Sequence, residues 1–273
     1  MKRIGIIGGG WLGLPLSQLL ANLGHAVVVS KTTQAGVEQT QTDEVPAVLV
    51  DLAQGESHTV SALSAFAPQV VIGCFPPGFR RGNGDEYALY WQTLITAAKQ
   101  LNVEKIVMVS STTVYPNRAE TMSEEMASLS LALANEEFST NAQIMLRAEQ
   151  SLIDSGVDYA IVRCSGLIGP NRHPARFVAH LKQVSDQAPA NMIHLSDAIG
   201  AVSYAALHLD KHVVNATTPN TTNKAEFYQT AIERSGAELT LPKIVHNADK
   251  HISADKLVAL GYKFHFQHTL EII

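Results

Sequence analysis

The segment "IGIIGGGWLGLPL" (residues 4–16) decides the fold of this chain. An apolar run typical of a buried strand ends at Gly8, and leucines at helical spacing begin after Gly13. Between them, Gly8, Gly10 and Gly13 form G-x-G-x-x-G, which in a strand-turn-helix context predicts the phosphate-binding turn of a dinucleotide site. Gly8 would allow the tight turn, Gly10 the approach of a pyrophosphate, and Gly13 close packing of helix on strand. The phosphates would lie at the helix N-terminus, in contact with Gly8, Gly10, Trp11, Leu12 and Gly13.

The rest of the chain repeats this alternation of strand and helix. Its short apolar runs are continuous rather than alternating, which indicates a parallel sheet covered by helices on both faces. The runs lie at 3–8, 25–30, 47–52, 69–75, 105–110, 158–166 and 212–217. Helical spacing covers 86–101, 136–155 and 224–236, whereas 117–135 has an irregular pattern. The sequence therefore predicts an α/β fold, a doubly wound parallel Rossmann sheet with a small C-terminal substrate-side subdomain.

A change in composition divides the predicted fold at Gly166. Residues 1–165 would form the dinucleotide-binding domain, and the strand at 212–217 is expected to return to its sheet. Residues 166–273 begin with loops rich in Pro, Asn and His, of the kind that shape pockets. They are predicted to form a smaller substrate-side region.

Composition excludes several classes of function. The 273 residues carry a net charge of −5, which argues against binding to nucleic acid or to an anionic membrane. No segment has the roughly 18 apolar residues of a membrane span, and the glycines and proline of the first segment argue against a signal peptide. Cys74 and Cys164 form no C-x-x-C pair, so no metal site is predicted. Both are expected to be buried thiols in a reducing cytoplasm.

The end of the second predicted strand bears on the choice of dinucleotide. NAD sites place an Asp or Glu there to hold the ribose hydroxyls. This chain has Ser30, Lys31 and Thr32 instead, and the lysine with the two hydroxyls would suit a 2′-phosphate. We therefore expect NADP(H) rather than NAD(H). The alternative for Lys31 is a solvated loop lysine.

Two further strand ends would complete the cofactor pocket. Asp51 and Leu52 follow the third strand, where they would hold the adenine, or where Asp51 would only cap the next turn. Phe75 and Pro76 follow the fourth strand and would wall the middle of the cofactor. The pair Arg80-Arg81, in the loop that comes next, would bind an anionic substrate or stay solvated.

The fifth predicted strand ends in "VMVSSTTVYP" (residues 107–116), which carries hydroxyls to the tip of a buried strand. This tip would line the nicotinamide end of the cofactor pocket. Ser111, Thr112 and Thr113 are therefore candidates for contact with a substrate.

Together these segments resemble the extended, nucleotide-sugar-epimerase-like branch of the short-chain dehydrogenase/reductase superfamily. The resemblance covers nearly the whole chain, through segments in the family's order at 8–13, 50–52, 110–116, 162–170, 191–199 and 255–263. It implies that Ser111 stands at the position of the catalytic serine. It also implies a tyrosine and a lysine one turn apart on the next helix, at positions that Asn141 and Met145 occupy here.

Neither Asn141 nor Met145 can do the work of that pair, in which the lysine lowers the pKa of a tyrosine that is otherwise near 10. No Y-x-x-x-K occurs anywhere in the sequence. The turn departs from the family as well, because Ile7 stands at the first glycine of G-x-x-G-x-x-G. Both departures resemble an atypical subgroup that keeps the cofactor motif and has a degraded active site.

Two polar residues near the strand tip have a structural and a chemical interpretation. Tyr115 is close to Ser111, but in the family pattern it belongs to the exit of the strand, where packing is the favoured role over acid-base catalysis. Arg163 is expected in a structural ion pair or as a donor to backbone, with catalysis as the alternative.

Three residues of the later segments are candidates for the substrate side: His173, Asn191 and His194. An imidazole titrates in the range that proton transfer requires, so His173 is a candidate for contact or proton transfer. For His194 an orienting hydrogen bond near Asp197 is favoured, with Asp197 capping a helix that starts at Ala198.

Two functions remain open at this point. The first is an NADP(H)-binding epimerase/dehydratase-like or reductase-like enzyme that acts on a small hydroxyl- or carbonyl-bearing substrate, with a nucleotide-linked substrate as one option. The second is a non-catalytic NADP-binding regulator or sensor. The resemblance also implies a homodimer through the helices at 86–101 and 136–155.

Overall fold

The computed structural model of the chain describes residues 1–42, 45–79, 82 and 84–273. The strands are β1 Arg3–Ile7, β2 Ala26–Lys31, β3 Ala47–Leu49, β4 Val70–Gly73, β5 Lys105–Ser111, β6 Thr121–Met122, β7 Asp158–Cys164, β8 Gly166–Ile168, β9 Gln183–Ser185, β10 Met192–His194, β11 His212–Ala216, β12 Lys243–Val245 and β13 His251–Ile252. The helices are α1 Gly13–Asn22, α2 Gln34–Thr42, α3 Glu56–Ser64, α4 Gly84–Gln100, α5 Leu129–Ala134, α6 Thr140–Ile153, α7 Ala175–Val178, α8 Leu195–His208, α9 Lys224–Ser235 and α10 Asp255–Ala259.

In the described part of the chain, seven parallel strands form the central sheet in the order β11-β7-β5-β4-β1-β2-β3. Both faces are covered, since side chains of β1 and β4 pack with α1 and α8 on one face and with α4 and α6 on the other. This burial explains why the strands read as continuous apolar runs. The predicted doubly wound α/β fold is confirmed.

The switch in strand order lies between β1 and β4, where the chain turns from building one side of the sheet to building the other. Ligands of such sheets bind at the carboxyl ends of the strands near this switch. The glycine-rich turn after β1 and the tip of β5 both lie at that edge, so the fold brings the predicted site residues to one side of the sheet.

The segment 117–135 is more regular than its sequence suggests. It contains β6, which pairs with β13, and the short helix α5, whose Ser128 caps the first turn by accepting from the Leu131 amide. The expectation of an irregular segment is therefore wrong here. Helix α6 also starts later than predicted, because the Ser139 hydroxyl accepts from the Ala142 amide and fixes the start at Thr140.

Elements from beyond Gly166 contribute to the main layers. Strand β11 pairs with β7 in the central sheet, and α8 packs on that sheet beside α1. Other parts of 166–273 form a small lobe with two-stranded ladders, in which β8 pairs with β10 and β9 with β12. This lobe has its own apolar cluster around Phe227.

None of the helices in the described ranges is both long enough and apolar enough to cross a bilayer.

Candidate functional site

The glycine-rich turn has the geometry that its motif predicts. Gly8 has φ +107, a left-handed value that glycine adopts without strain. A Cβ on Gly13 would lie 2.2 Å from the Gly8 carbonyl oxygen, so only glycine allows the helix to approach the strand so closely. A Cβ on Gly10 would meet no atom within 4 Å. Gly10 therefore borders open space in front of the turn, where a ligand can approach the backbone.

The amides at the start of α1 are free to bind an anion. Among the described residues, the N–H groups of Trp11, Leu12 and Gly13 have no hydrogen-bond acceptor, whereas Gly9 and Gly10 donate to backbone carbonyls. These three donors lie at the positive end of the helix dipole. The residues present thus fit the pyrophosphate of a dinucleotide, with Gly10 giving it room.

The end of β2 supports the turn from behind. The Ser30 hydroxyl, which belongs to a residue 3% exposed, accepts from the Gly8 amide at 2.9 Å. The Lys31 ammonium donates to the Gly9 carbonyl, and Thr32 is exposed. This differs from the expectation that all three face a ribose phosphate, because the Ser30 hydroxyl is already bonded inside the fold. Of the three residues, Ser30 is closed off from the surface, whereas Lys31 is half-buried and Thr32 is exposed.

The other predicted cofactor walls have local partners. The Asp51 carboxylate accepts from the Ala53 amide at 3.1 Å, so it caps the turn that buries Leu52. The ring of Phe75 packs 4.8 Å from that of Trp91, and Pro76 beside it is exposed. The predicted anion-binding pair Arg80-Arg81 lies outside the described residues.

At the tip of β5, neighbouring serines point to opposite faces, as strand geometry requires. Ser110 turns inward and donates to Glu149 at 2.6 Å. Ser111 turns to the open edge, where its hydroxyl accepts from the Thr113 amide at 3.2 Å and pairs with the Thr113 hydroxyl at 2.9 Å. Thr112 is half-buried and Thr113 exposed. Ser111 and Thr113 thus present a pair of linked hydroxyls.

On helix α6, the two positions at which the family pattern has a tyrosine and a lysine hold Asn141 and Met145. Asn141 lies at the start of α6 and is exposed, and Met145, one turn later, is 1% exposed in the apolar core. Helix α6 packs directly on the turn that follows Ser111. The site therefore holds a methionine where the family pattern has an ammonium.

Behind the strand tip lies a buried polar group that we call the Arg163 cluster: Ser110, Tyr115, Glu124, Glu149, Arg163 and Asn215. Arg163 donates to Glu149 at 2.7 Å, to the Tyr115 hydroxyl at 3.1 Å, and to the carbonyls of residues 124 and 127. The Tyr115 hydroxyl donates in turn to Asn215 at 2.6 Å. Burial raises the pKa of Tyr115 to about 12 against the lowering effect of Arg163. Tyr115 and Arg163 are structural here.

Two of the predicted substrate-side residues are engaged in the scaffold. The Asn191 amide donates to the Lys250 carbonyl at 2.8 Å and accepts from the Ile252 amide at 3.0 Å. His194 is itself the N-cap of α8, since its Nδ1 accepts from the Ser196 amide at 3.2 Å. The expectation that Asp197 caps a helix from Ala198 is therefore wrong. That carboxylate instead accepts from the amides of residues 265 and 266.

His173 and His194 share a cleft of about 370 Å³ that we call the 169–174 cleft. Its lining residues are Gly169, Pro170, Asn171, His173, Pro174, His194, Ile272 and Ile273. The His173 Nδ1 accepts from the Ala175 amide at 3.3 Å, so the other ring nitrogen is left for the cleft.

The glycine-rich turn contacts a residue of this cleft, and the sequence does not predict this contact. The Trp11 indole donates to the Pro170 carbonyl at 2.7 Å, and the guanidinium carbon of Arg172 lies 4.6 Å from the centre of a Trp11 ring. The sequence feature that could have indicated this contact is the tryptophan itself, which stands in a turn made otherwise mostly of glycines. The Pro170 carbonyl lies 159 residues away along the chain, and no local pattern reveals it.

The sheet order and the glycine-rich turn define a doubly wound α/β protein with a nucleotide-binding turn. Residues 4–216 match the NAD dependent epimerase/dehydratase family, and the chain belongs to that family. The resemblance to extended epimerase-like proteins is thereby confirmed. Protein YeeZ of Escherichia coli K12 is 30% identical over 242 residues, which are 87% of this chain and 85% of YeeZ.

Solved structures of the same fold include two complexes. UDP-glucose 4-epimerase of Thermus thermophilus, in complex with NAD, superposes with a TM-score of 0.77 at 19% identity, over 99% of this chain and 97% of that one. WbmG of Bordetella bronchiseptica, in complex with NAD and UDP, gives 0.75 at 17% identity, over 99% and 93%. At these identities the likeness concerns the fold.

Proposed function

We propose that the protein binds a nicotinamide dinucleotide at the glycine-rich turn and acts on a small hydroxyl- or carbonyl-bearing substrate at the tip of β5. The observation that carries the proposal is the set of free amides at Trp11, Leu12 and Gly13 beside the open space at Gly10. The two structural neighbours described above were solved with NAD, which supports the choice of ligand class. A bound nicotinamide ring supplies the hydride donor or acceptor.

Ser111 is the residue that touches the reacting oxygen. Its hydroxyl lies on the open face of β5 and is polarised by the Thr113 amide and hydroxyl. A donor held in this way can orient a substrate carbonyl and stabilise charge that develops on its oxygen. Because position 145 is a buried methionine, the proton must come from a non-standard donor or from water.

We propose further that NADP(H) is preferred over NAD(H), with Lys31 as the contact to the 2′-phosphate. No carboxylate follows β2, where the next residues are Thr32, Thr33 and Gln34. Within the described part of the chain, the Lys31 ammonium has one acceptor, the Gly9 carbonyl, which leaves two N–H groups for an anion. The NAD in the neighbours' structures is a property of those proteins, and the preference of this chain between NADP and NAD is tested below.

The competing function is a cofactor-binding regulator without turnover. It is favoured by one observation, the burial of Met145 and the exposure of Asn141 where the family pattern needs a tyrosine and lysine. The retained hydroxyl pair of Ser111 and Thr113 favours the enzyme.

The test combines binding with turnover. Thermal shift with NADP and NAD should give the larger rise with NADP, and Lys31→Met should remove the difference. Stopped-flow measurements with NADPH and a panel of small carbonyl compounds should then detect oxidation that Ser111→Ala abolishes without a change in melting temperature. Ser110→Ala is the matched control, because that serine faces the Arg163 cluster and its loss should lower stability and spare turnover. Turnover that survives in Ser111→Ala would contradict the role of Ser111.

We also propose a homodimer through α4 and α6. These helices pack side by side, and an open groove of about 470 Å³ lies beside them, with Leu89 58% exposed. The proposal rests on the resemblance, which implies a dimer through these two helices, and the groove with Leu89 is where its contact would lie. Light scattering should give twice the mass of the 29.5 kDa chain, and Leu89→Glu should give a monomer.

A cytoplasmic location is proposed from the cysteines. Cys74 and Cys164 are both free, and burial raises the pKa of Cys164 to about 12, so it is a packing residue rather than a nucleophile. Cys164 is buried as expected, whereas Cys74 is half-buried, and free thiols of this kind are typical of a reducing compartment.

A further inference from the structure

We propose that Trp11 couples the dinucleotide site to the substrate side, because its backbone faces one and its side chain holds the other. The element that it holds is the chain reversal at residues 169–172, which we call the 169–172 turn and whose first three residues line the 169–174 cleft. The proposal rests on the proposed function, since it requires a dinucleotide at the glycine-rich turn. A bound dinucleotide restricts the motion of this wall, and a ligand of the cleft then binds with less loss of entropy.

The backbone of Trp11 belongs to the proposed dinucleotide site. Its N–H, like those of Leu12 and Gly13, has no acceptor among the described residues. Gly10, next to it, borders open space. A pyrophosphate that accepts a hydrogen bond from the Trp11 N–H fixes the backbone from which the indole projects. Occupation of the glycine-rich turn therefore bears on the side chain of Trp11 as well.

The side chain of Trp11 lies against the 169–172 turn. The indole N–H donates to the Pro170 carbonyl at 2.7 Å. The guanidinium carbon of Arg172 lies 4.6 Å from the centre of a Trp11 ring, which is within the range of a cation–π contact. A Cβ built on Gly169 would lie 3.4 Å from the ring carbon Cζ2, so little space separates these two residues. The indole thus meets the turn through a hydrogen bond and through its ring.

The 169–172 turn is an exposed element that depends on contacts from outside it. Three of its four residues are exposed. The Arg172 amide closes the turn by donating to the Gly169 carbonyl at 2.9 Å. The Arg176 guanidinium donates to the Asn171 carbonyl at 2.7 Å, but Arg176 belongs to α7, which follows directly in the same segment. A turn with few buried contacts opens easily, so the hold of a distant residue such as Trp11 affects how often it opens.

Trp11 holds this turn from the other part of the site. It lies between β1 and α1, 159 residues from Pro170 along the chain. A ligand shifts an equilibrium when it binds the two states with different free energies. The closed turn keeps the indole in place, and a dinucleotide that binds best when Trp11 is in place therefore favours the closed turn. By linkage, a ligand of the cleft that favours the closed turn raises the affinity for the dinucleotide in the same proportion.

Hydrogen exchange, followed by mass spectrometry on peptides that cover residues 171–173, measures how often the turn opens. In the wild type, saturation with NADP should slow this exchange about fivefold or more. Trp11→Leu removes both the N–H donor and the aromatic ring, so saturation should leave its exchange within about twofold of the free variant. Trp11→Phe keeps a ring for Arg172 and should restore part of the slowing. A slowing of wild-type size in Trp11→Leu would overturn the proposal.

Two controls separate this coupling from general stabilisation. Leu23→Ala removes an exposed apolar side chain at the other end of α1 and should keep the full slowing of the wild type. The peptide that covers β12, in the same lobe but outside the turn, serves as the reference. Equal slowing at β12 and at the 169–172 turn would mean that NADP stabilises the whole chain, and the role of Trp11 would then be wrong.

Failure of this inference is distinguishable from failure of the proposed function. Calorimetry on each variant measures dinucleotide binding directly and establishes saturation, with NAD in place of NADP where NAD binds more tightly. If a dinucleotide binds and exchange at the turn of the wild type does not slow, the coupling alone is wrong. If neither dinucleotide binds, the proposed function is wrong and the coupling fails with it. The free protein still tests the contact itself, because Trp11→Leu should speed exchange at 171–173 about threefold or more. Unchanged exchange in the free variant would contradict the hold of Trp11 on the turn.

Discussion

The Arg163 cluster and the open edge in front of it use the same kinds of polar group in opposite ways. In the cluster, Arg163 donates to a carboxylate, a hydroxyl and two carbonyls, and its residues are almost fully buried. At the open edge, the amides of Trp11 and Leu12 and the guanidinium of Arg172 have no acceptor among the described residues. Ser110 belongs to the cluster, and its neighbour Ser111 belongs to the open edge. Polar groups that are satisfied inside the protein build the scaffold, and those left free mark where a ligand binds.

The cluster fixes the geometry of the edge. Arg163 lies in β7 and ties this strand to the 124–127 segment, while Ser110 links β5 to α6 through Glu149. These links hold the β5 tip and the helix behind it in one arrangement. A fixed strand tip is what the proposed contact of Ser111 with a substrate requires, because the hydroxyl then needs no reorganisation.

The largest effect we expect comes from breaking the cluster. Glu149→Gln leaves the guanidinium of Arg163, a residue 2% exposed, without its counter-charge. Removing one partner of a buried ion pair costs about 3–5 kcal/mol in the free energy of unfolding. Urea denaturation measures this loss, with Ser111→Ala as the control that should change stability by less than about 0.5 kcal/mol. A loss below about 1 kcal/mol for Glu149→Gln would mean that the cluster does not act as scaffold.

The next effect concerns the open edge alone. Gly10→Ala adds a methyl group that touches no protein atom, so the free energy of unfolding should stay within about 1 kcal/mol of wild type. The methyl group fills the space in front of the free amides, and dinucleotide affinity should fall about 100-fold or more, which is about 2.7 kcal/mol.

Gly13→Ala is the contrasting variant, because its Cβ would lie 2.2 Å from the Gly8 carbonyl oxygen and must disturb the fold. Fluorescence titration measures the dinucleotide affinity of both variants, and urea denaturation measures their free energies of unfolding. Dinucleotide binding that persists in Gly10→Ala would place the cofactor elsewhere.

Sequence patterns predicted the sheet and the turn because both depend on local features. Continuous apolar runs give buried parallel strands, and the roles of Gly8 and Gly13 follow from backbone geometry within the turn itself. The position of Ser111 at the strand tip was predictable for the same reason. The absence of a tyrosine and lysine at 141 and 145 is a plain sequence fact.

The roles of the other polar residues depend on contacts between distant segments, which the sequence does not show. The sequence predicts that Ser30 contacts the cofactor, but its hydroxyl accepts from the Gly8 amide. It predicts that Asn191 faces the substrate, but its side chain bonds to the backbone at residues 250 and 252. The stacking of Arg172 on the Trp11 ring is likewise a contact between distant segments. Local pattern gives the residue type, and only the tertiary structure shows which polar groups remain free.

Asn191 tests where the scaffold ends and the open edge begins. Asn191→Ala removes two hydrogen bonds and leaves the Lys250 carbonyl and the Ile252 amide without partners. The expected loss is about 1–3 kcal/mol in the free energy of unfolding, with dinucleotide affinity unchanged within twofold. Urea denaturation and thermal shift with NADP measure the two quantities. A variant of unchanged stability that had lost dinucleotide binding would contradict the scaffold role of Asn191 and place it in the cofactor site.

The smallest effect is a dependence of stability on pH through His194. Burial lowers its pKa in the folded protein below the value of 6.5 that the unfolded chain has, and the folded site also uses Nδ1 as an acceptor for the Ser196 amide. Below pH 6.5 the unfolded chain therefore binds more protons, so the contribution of His194 is fully present above that pH and is lost as the pH falls toward the folded pKa.

The matched variant is His194→Asn, which caps a helix and does not titrate. The free energy of unfolding of the wild type minus that of the variant should decrease between about pH 7.5 and about pH 5.5, by less than about 1 kcal/mol because the ring is partly solvated. Urea denaturation at the two pH values measures this difference, in which the titration of all other groups cancels. A difference that is constant or that grows in acid would mean that the cap does not depend on a neutral imidazole.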